Sequence, residues 1–420
     1  MHRLARRLAA AAFAVLTGSG ATPVATANAA TDRQDFATIE RGRYLTVVAD
    51  CAACHTLPGS GQQFGGGRPI ETPFGTILAP NITPDRETGI GAWTDDAIVG
   101  SLLNGTGGDG EHLYPAMPYT YYTRLTQDDA LAIVAYLKTL APVRNPVESN
   151  QLPFPFDIRA SMIAWNALFF TPGRFQPRAD KTEEWNRGAY LVQGPEHCGL
   201  CHTGKNLLGG DTPSATFRGN SLQGWFAPDL TNDAYRGLGG WSVEQIVAYL
   251  KTGHNDMAAA TGPMAEEVSL SGSQTTDADL RAIAVYLKDR PDSGAGKPAA
   301  VAATDPAMRA GGAIYADECS ACHAPKGEGV AGLFPALAGS ASIQSAEPTS
   351  LLHVVLRGTR SVATQGAPTA AAMPPFGWLL DDEQVAAVTT YVRNAWGNAA
   401  PAVDAGDVSR ARRSLAQRGD

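Results

Sequence analysis

Apolar residues recur at helical spacing in three separate stretches of the chain. In the first stretch Leu131, Val134 and Leu137 share one face of a helix, because positions three or four apart lie on the same side. The pattern returns twice further along and predicts helices over residues 126–140, 276–288 and 381–396. The residues placed to cap these helices, by accepting a hydrogen bond from the first turn, are Thr126, Thr276 and Asp381.

Each stretch also opens on a predicted helix that carries a glycine followed closely by a tyrosine. The glycines are Gly42, Gly188 and Gly311, and the tyrosines are Tyr44, Tyr190 and Tyr315. Glycine has no Cβ, so two helices can cross there more closely than a side chain would allow. We expect the first and last helices of each stretch to pack against each other at this glycine.

The first two stretches are copies of one unit. Residues of the same type are separated by 147 or 148 positions, as in Cys51 and Cys198 or Trp93 and Trp241. A third, shorter copy keeps the same order of features from about Pro306 onward. The predicted fold class is therefore mainly α, with three tandem domains. Their predicted bounds, termed here the first, second and third repeats, are residues 36–145, 182–291 and 305–397.

Two connecting segments separate the repeats. Residues 292–304 are rich in Ala, Gly and Pro and are predicted to form a flexible linker. Residues 146–181 contain Ile158, Met162, Trp165 and Phe169 at helical spacing. We interpret this stripe as interdomain packing, with contact to a partner or a membrane surface as the alternative.

The two ends of the chain carry basic residues, although the protein is acidic overall. Residues 1–29 combine arginines, a short apolar run and the sequence Ala27-Asn28-Ala29, which is typical of a signal peptide for export to the periplasm. Without it the net charge is more negative than the −8 of the whole chain, which disfavours nucleic acid and suits a basic patch on a protein partner. The tail, residues 398–420 with four arginines, is predicted to be disordered, with contact to anionic lipid as an option.

All six cysteines belong to three copies of the motif Cys-x-x-Cys-His. This spacing suits covalent haem c, because two thiols add across the vinyl groups of one porphyrin and the next histidine lies under the iron. The cysteines predicted to bind haem are Cys51, Cys54, Cys198, Cys201, Cys319 and Cys322. The predicted proximal iron ligands are His55, His202 and His323. The sequence thus predicts three haem c groups, one per repeat.

Other uses of paired cysteines explain the motif less well. A zinc site would need further cysteines or paired histidines, and a redox dithiol would need a βαβ setting that the helical pattern lacks. A disulfide framework suits an exported protein but leaves the three trailing histidines unexplained.

With a haem motif just after a glycine-bearing helix, each repeat resembles a class I cytochrome c domain. The resemblance implies that the terminal helix crosses the first and that the distal iron ligand is a methionine on a late loop. It also implies that a proline carbonyl accepts a hydrogen bond from the proximal histidine, as iron-bound imidazoles usually require. The prolines in comparable places are Pro80, Pro228 and Pro335.

Three methionines occupy the place of the distal ligand. Met117 and Met264 each follow their proximal histidine by 62 residues, and Met373 follows His323 by 50. All three are predicted to lie in polar, Gly/Pro-rich loops, because Gly and Pro are typical turn residues, rather than in the apolar stripes where methionine usually fills a core. We predict that they ligate iron. The alternatives are Met257, His112, His254 and His353.

Iron held by both histidine and methionine has no open position, which favours electron transfer over oxygen or peroxide chemistry. Because no constellation for hydrolysis or acid–base catalysis stands out, we expect substrate oxidation to occur on another polypeptide. A multihaem peroxidase is the alternative enzyme, and it would need an iron without a stable distal ligand. A free periplasmic electron shuttle to a terminal oxidase is the alternative carrier.

Further motifs extend the resemblance beyond the single domain. They lie at residues 65–67 (GGG), 72–76 (TPFGT), 81–85 (NITPD), 114–119 (YPAMPY), 219–225 (GNSLQGW) and 373–378 (MPPFGW). As a set, over residues 40–397, they are similar to the triheme cytochrome c subunit of bacterial membrane-bound alcohol, gluconate and related sugar dehydrogenases. The resemblance covers nearly the whole chain after the predicted signal peptide.

This resemblance implies a function and a location. The subunit would take electrons from a dehydrogenase catalytic subunit that carries pyrroloquinoline quinone or flavin, and pass them to ubiquinone at the periplasmic face of the inner membrane. Similar cytochromes serve molybdenum-containing aldehyde dehydrogenases, and the sequence does not choose among these partners. No apolar run after the leader is long enough to span a bilayer, so membrane contact is expected to be peripheral.

Overall fold

The computed structural model describes residues 35–294 and 296–418, so the predicted signal peptide lies outside the described residues. Within these ranges the chain is mainly helical, as predicted, with short two-stranded antiparallel hairpins. None of the described helices is both long enough and apolar enough to cross a membrane.

The first repeat is built from helices and one β-hairpin. Its elements are α1 (Phe36–Val48), α2 (Cys51–His55), β1 (Pro69–Thr72), β2 (Gly75–Leu78), α3 (Asp95–Asn104), α4 (Tyr119–Tyr122) and α5 (Gln127–Leu137). The hairpin pairs Ile70 with Ile77. The segment that leads to the second repeat contains a further helix, α6 (Ser161–Phe169).

The second and third repeats follow the same plan. The second contains α7 (Glu183–Gln193), α8 (Gly199–His202), β3 (Asn220–Leu222), β4 (Trp225–Ala227), α9 (Val243–Thr252), α10 (Gly262–Leu270) and α11 (Asp277–Lys288). The third contains α12 (Pro306–Ile314), α13 (Ser320–His323), α14 (Thr349–Arg357), β5 (Thr359–Arg360), β6 (Ala372–Met373) and α15 (Asp382–Asn394). A last helix, α16 (Ala405–Ala416), follows the third repeat.

The terminal helices α5, α11 and α15 begin where the sequence predicts. Thr126 and Thr276 each accept a hydrogen bond from the backbone N–H of the third helical residue, at 3.1 and 3.2 Å. Asp381 and Gln384 form a reciprocal capping box, with bonds of 2.8 and 3.0 Å. These bonds satisfy N–H groups that a helix end would otherwise leave without partners.

The first and last helices of each repeat cross at the predicted glycines. A Cβ built on each glycine would lie far inside van der Waals distance of a carbonyl oxygen on the opposite helix. The pairs are Gly42 and Ala132 at 1.8 Å, Gly188 and Ala282 at 1.9 Å, and Gly311 and Ala387 at 2.1 Å. The expectation of a close crossing is therefore confirmed in all three repeats.

The hydrophobic core joins two of the repeats. A continuous cluster of buried side chains contains Leu45 and Ile133 from the first repeat together with Leu191 and Ile283 from the second. The third repeat has its own cluster, around Val385. The first two repeats therefore pack as one body, to which the third is attached.

Two tyrosine–aspartate pairs connect the first and second repeats reciprocally. Tyr44 donates a hydrogen bond to Asp279 at 2.6 Å, and Tyr190 donates one to Asp129. Each carboxylate also pairs with an arginine of its own repeat, Arg41 for Asp129 and Arg187 for Asp279. Because both aspartates are buried, their charges need these partners.

The pKa of Asp279 shows the strength of this arrangement. Burial alone would raise it, but the hydrogen bonds from Arg187 and Tyr44 hold the pKa of that carboxyl below its usual value. The carboxylate therefore stays ionised inside the interface. Burial and the bond to Asp279 raise the pKa of Tyr44 to about 12, so this tyrosine remains a donor.

The third repeat is attached to the second through backbone contacts. Ser350 Oγ accepts a hydrogen bond from the Phe226 N–H at 2.8 Å and donates one to the Phe226 carbonyl at 3.1 Å. Tyr235 accepts from the Ala399 N–H at 2.5 Å and donates to the carbonyl of the same residue. Hydrogen bonds to both backbone groups of one residue fix the relative position of the two repeats.

The C-terminal tail is ordered as a helix, so the prediction of disorder over residues 398–420 is wrong for its described part. α16 buries Val408 and Leu415 in the core of the third repeat. These residues are seven positions apart and share one helical face, a signal that the arginines around them obscured. The ion pairs of the helix and of the residues after it are Arg410–Asp407, Arg412–Asp382 and Arg418–Glu71.

The segment between the first and second repeats packs against both of them, as predicted for Trp165, whereas Ile158 of the same stripe is exposed. Trp165 Nε1 donates to the Leu208 carbonyl of the second repeat at 2.9 Å. The neighbouring Asn166 accepts from the Tyr119 hydroxyl of the first repeat at 2.7 Å. α6 is therefore fastened to two repeats at adjacent positions.

Replacing a crossing glycine should destabilise the protein. Gly188→Ala should lower the free energy of unfolding by about 2 kcal/mol or more, because the new methyl group forces α7 and α11 apart. Gly240→Ala is the matched control, since its Cβ would meet its nearest neighbour at an ordinary 3.7 Å. Chemical denaturation of the haem-loaded proteins measures both, and equal stability of the two variants would contradict the crossing.

Candidate haem-binding sites

Each haem motif begins where the first helix of its repeat changes conformation. Asp50 in the first repeat and His197 in the second adopt left-handed backbone, with φ of 47° and 37°. Such angles are uncommon for residues other than glycine. In the third repeat a π-helical turn, Tyr315–Cys319, takes the place of the break. In all three cases the last residues of the motif form a short helix of their own, α2, α8 or α13.

The histidines predicted as proximal ligands make the hydrogen bonds that the resemblance implied. Their Nδ1 atoms face proline carbonyl oxygens, His55 to Pro80 at 2.8 Å, His202 to Pro228 at 2.7 Å, and His323 to Pro335 at 3.1 Å. A carbonyl can only accept, so Nδ1 carries the hydrogen and Nε2 keeps its lone pair for a metal. Burial lowers the pKa of all three imidazoles, which keeps them neutral, as a ligand must be.

Burial holds five of the cysteines as protonated thiols, namely Cys51, Cys54, Cys198, Cys201 and Cys319. All six lie in the described residues and none is joined in a disulfide. Burial raises the pKa of the Cys51 thiol to about 12 and that of Cys54, Cys201 and Cys319 to about 11. Since the thiolate is the reactive form in disulfide exchange, a raised pKa protects these five thiols from it.

A continuous cavity of about 900 Å³ connects the motifs. Its lining contains the complete predicted sets of the second and third repeats, namely Cys198, Cys201, His202 and Met264 with Cys319, Cys322, His323 and Met373. From the first repeat it reaches Asp50, Ala53 and Cys54, whereas His55 and Met117 do not line it. The structure thus brings the second and third sites into one space and places the first at its border.

The donor groups fit haem c. Free thiol pairs lie beside neutral imidazoles whose Nε2 atoms are available, and in the second and third repeats both face one large cavity. The first repeat has the same Cys-x-x-Cys-His motif, the same hydrogen bond between its histidine and a proline carbonyl, and the same helix crossing. The number of haems bound stays a prediction.

The predicted distal methionines occupy three different settings. Met117 precedes α4 in a loop, as expected, whereas Met264 lies in the first turn of α10 and Met373 in β6. Pro263, just before Met264, is the sequence signal for this helix, since proline favours the first helical turn. Met257 also lines the cavity, so it stays an alternative to Met264.

The histidines considered as alternative distal ligands make other contacts. His254 Nε2 lies 3.3 Å from the Val362 carbonyl of the third repeat. His353 stacks on Trp225 with ring centroids 4.0 Å apart. Both are buried where the second and third repeats meet, while His112 contacts α6. Their positions give the two buried histidines a structural role between repeats.

A buried acidic cluster beside the cavity was missed by sequence reasoning. Asp50, Glu196 and Glu267 line the cavity, and each has a buried carboxylate oxygen without a hydrogen-bond partner among the described residues. Burial raises the pKa of all three, to about 7 for Glu267, and repulsion from neighbouring acids adds to the shift of Asp50 and Glu196. The three come from separate segments, so no local pattern could reveal the cluster.

Comparison with known proteins shows similarity to cytochrome c and to cytochrome c subunits of dehydrogenases. Residues 39–141 and 308–396 match the cytochrome c family. Over 406 residues the chain is 38% identical to the gluconate 2-dehydrogenase cytochrome c subunit of Pantoea cypripedii, covering 91% of each protein. It is 37% identical over 431 residues to the cytochrome c subunit of alcohol dehydrogenase (quinone) from Gluconacetobacter polyoxogenes, covering 98% of this chain and 90% of the relative. It is 38% identical over 403 residues to the fructose dehydrogenase cytochrome subunit of Gluconobacter japonicus, covering 89% and 82%.

The haem content can be counted on the denatured protein. We expect three covalent haems on the mature wild-type chain, because thioether bonds survive unfolding, and two on the double variant Cys198→Ala, Cys201→Ala. Intact-mass spectrometry measures both. Met162→Leu, outside the motifs, should retain three, and fewer than three on the wild type would contradict the assignment.

The distal ligands can be identified by substitution. Met117→Leu, Met264→Leu and Met373→Leu should each lower one haem potential and weaken the sulfur-to-iron charge-transfer band, because a thioether favours Fe(II). Redox titration followed by absorption measures both effects, with Met308→Leu as a buried control outside the sites. A normal titration for Met264→Leu with an altered one for Met257→Leu would reassign the ligand of the second repeat.

Proposed function

Because the chain belongs to the family of cytochrome c subunits found in gluconate, alcohol and fructose dehydrogenases, we propose that it is the triheme electron-transferring subunit of such a complex. Its donor is a separate catalytic subunit that oxidises an alcohol, a sugar, a sugar acid or an aldehyde with pyrroloquinoline quinone, flavin or a molybdenum cofactor. Its acceptor is ubiquinone, at the periplasmic face of the inner membrane.

The observation that carries the proposal is the cavity to which all three motifs contribute. Cys54, Cys201 and Cys322, one from each repeat, line it together. Haem c, when bound at such cysteines, supplies a one-electron Fe(III)/Fe(II) couple. Attachment points around one cavity are held close together, as a carrier between two partners requires.

Arg68 fixes the first site relative to the second. Its guanidinium donates to the Ala53 carbonyl inside the first motif and, through both terminal nitrogens, to the carboxylate of Glu266. Glu266 lies on α10, two residues after Met264. A bidentate arginine–carboxylate pair has a defined geometry, so it holds the first motif against the helix of the predicted distal ligand.

The proposed acceptor and location rest on the relatives and the leader. Relatives from Gluconacetobacter polyoxogenes and Gluconobacter oxydans are both described as cytochrome c subunits of alcohol dehydrogenase (quinone), which supports a quinone acceptor. The leader of residues 1–29 supports export, which haem c attachment needs. The acidic surface supports recognition of a donor subunit through a basic patch.

The carrier role can be tested by stopped-flow absorption. The isolated haem-loaded chain should oxidise no alcohol, aldehyde or sugar, whereas adding the matching dehydrogenase subunit and its substrate should reduce the haems. A water-soluble ubiquinone analogue should then reoxidise at least one of them. If charge steers recognition, the rate of reduction at limiting concentration should fall as salt rises.

The controls separate the proposal from its alternatives. The double variant Cys198→Ala, Cys201→Ala lacks the middle attachment site and should be reduced less completely by the same partner. Rapid substrate-driven reduction of the isolated chain would give it a catalytic site and overturn the proposal. Reoxidation by a terminal oxidase but not by quinone would favour a free shuttle.

A further inference from the structure

One face of α6 is apolar and exposed to solvent. Ile163 and Leu168 are 59% and 69% exposed, and the exposed Ala164 and Ala167 lie between them. The opposite face carries Trp165 and Phe169, which contact the second repeat at Leu208 and Gly210. A surface helix ordinarily directs polar residues outward. The outer face of α6 is therefore unusually apolar for a helix face that is exposed to solvent.

The exposed face continues into neighbouring segments. Among the described residues, seven of the twelve exposed large apolar side chains form what we term the apolar surface: Phe154, Phe156, Ile158, Ile163, Leu168, Leu207 and Leu208. Trp165 bonds to the Leu208 carbonyl at 2.9 Å, and the rings of Phe156 and Phe74 lie 4.9 Å apart. A Cβ on Gly209 would lie 2.9 Å from the Phe74 ring. Phe74 therefore joins the loop of Leu207 and Leu208 to the segment of Phe154 and Phe156. Clustered exposure of this kind marks an interaction surface.

Three charged residues of this segment lie beside the apolar face of α6: Arg159, Arg174 and the exposed Asp157, which stands between Phe156 and Ile158. Residues 160–173 include no charged side chain, and an arginine stands at each end of this run. Arg159 donates to the His112 carbonyl at 3.1 Å and Arg174 to the Thr123 carbonyl at 2.9 Å. Both bonds are to neutral groups, so the positive charges are not cancelled by them. In an acidic protein, an uncharged helix face with two arginines and one aspartate beside it complements an anionic lipid headgroup layer.

We infer that the apolar surface lies on a phospholipid bilayer, with Ile163 and Leu168 inserted at the level of the headgroups. The inference rests on the proposed function, because ubiquinone is dissolved in the membrane. Docked protein surfaces carry polar rims and regular hydrogen bonds, whereas an uncharged helix face of Ile, Leu and Ala with tryptophan beside it fits an interfacial helix. The arginines of the tail, by contrast, form ion pairs with acidic side chains of this chain.

Vesicle sedimentation tests the inference on the full mature, haem-loaded chain. Wild-type protein should sediment with vesicles of phosphatidylethanolamine and phosphatidylglycerol. The double variant Ile163→Glu, Leu168→Glu should lower the partition coefficient at least about tenfold, because charge replaces inserted apolar side chains. Leu207→Glu, at a side chain 96% exposed, should also weaken binding without any loss of packing. Phe36→Glu, equally apolar and 79% exposed but outside the surface, should bind as wild type.

The outcomes are distinguishable from failure of the proposed function. A wild-type chain that stays in the supernatant, or α6 and Leu207 variants that sediment normally, would overturn the membrane assignment. If these variants sediment normally with vesicles but no longer bind the dehydrogenase subunit, the membrane assignment is also overturned and the surface is assigned to that subunit. Haem reduction by the partner and reoxidation by a water-soluble quinone need no vesicles, so they test the carrier role independently and should be unchanged in the variants.

Discussion

The backbone contact between the first and last helices of each repeat is the constraint on which the sites depend. At Gly42 and its two counterparts the opposing carbonyl oxygen occupies the space of a side chain. The first helix leads directly into the haem motif, and the last helix supplies much of the core behind it. Closing this helix pair therefore places the cysteines and the histidine relative to the core.

The same contact also determines how the repeats associate. In the first two repeats a tyrosine follows the glycine by two residues, and Tyr44 and Tyr190 each reach the start of the other repeat's last helix. Tyr44 accepts from the Thr276 N–H at 3.3 Å while it donates to Asp279, so one repeat completes the helix cap of the other. In the third repeat the tyrosine follows by four residues, and Tyr315 donates instead to Ala324 of its own repeat at 2.6 Å. This spacing accounts for a shared core in two repeats and a separate one in the third.

The sequence predicted the features that depend on local pattern or on repetition. Helix caps, crossing glycines and proline carbonyls recur in each copy. A feature that recurs at equivalent positions in three copies is not a coincidence of sequence. The setting of Met264 was assigned to a loop because Gly and Pro were read as turn residues, although proline at a first helical turn has the opposite meaning. The ordered tail was missed because Val408 and Leu415 are two apolar residues among many charges. The acidic cluster and the shared cavity arise only when repeats associate, and no local rule describes that association.

The contacts of α6 join the proposed lipid surface to the first predicted haem site. Tyr119 donates from its hydroxyl to Asn166 on α6, and its backbone N–H bonds to the Met117 carbonyl at 2.8 Å. Five residues earlier, Tyr114 donates to the Phe156 carbonyl within the apolar surface at 3.0 Å. The short segment with the predicted distal methionine is thus held at one end by Asn166 of α6 and at the other by Phe156 of the apolar surface. Because Tyr119 is fully buried, this link lies inside the packed structure, and it connects the first predicted haem site to the surface that we propose for the bilayer and therefore for the proposed quinone acceptor.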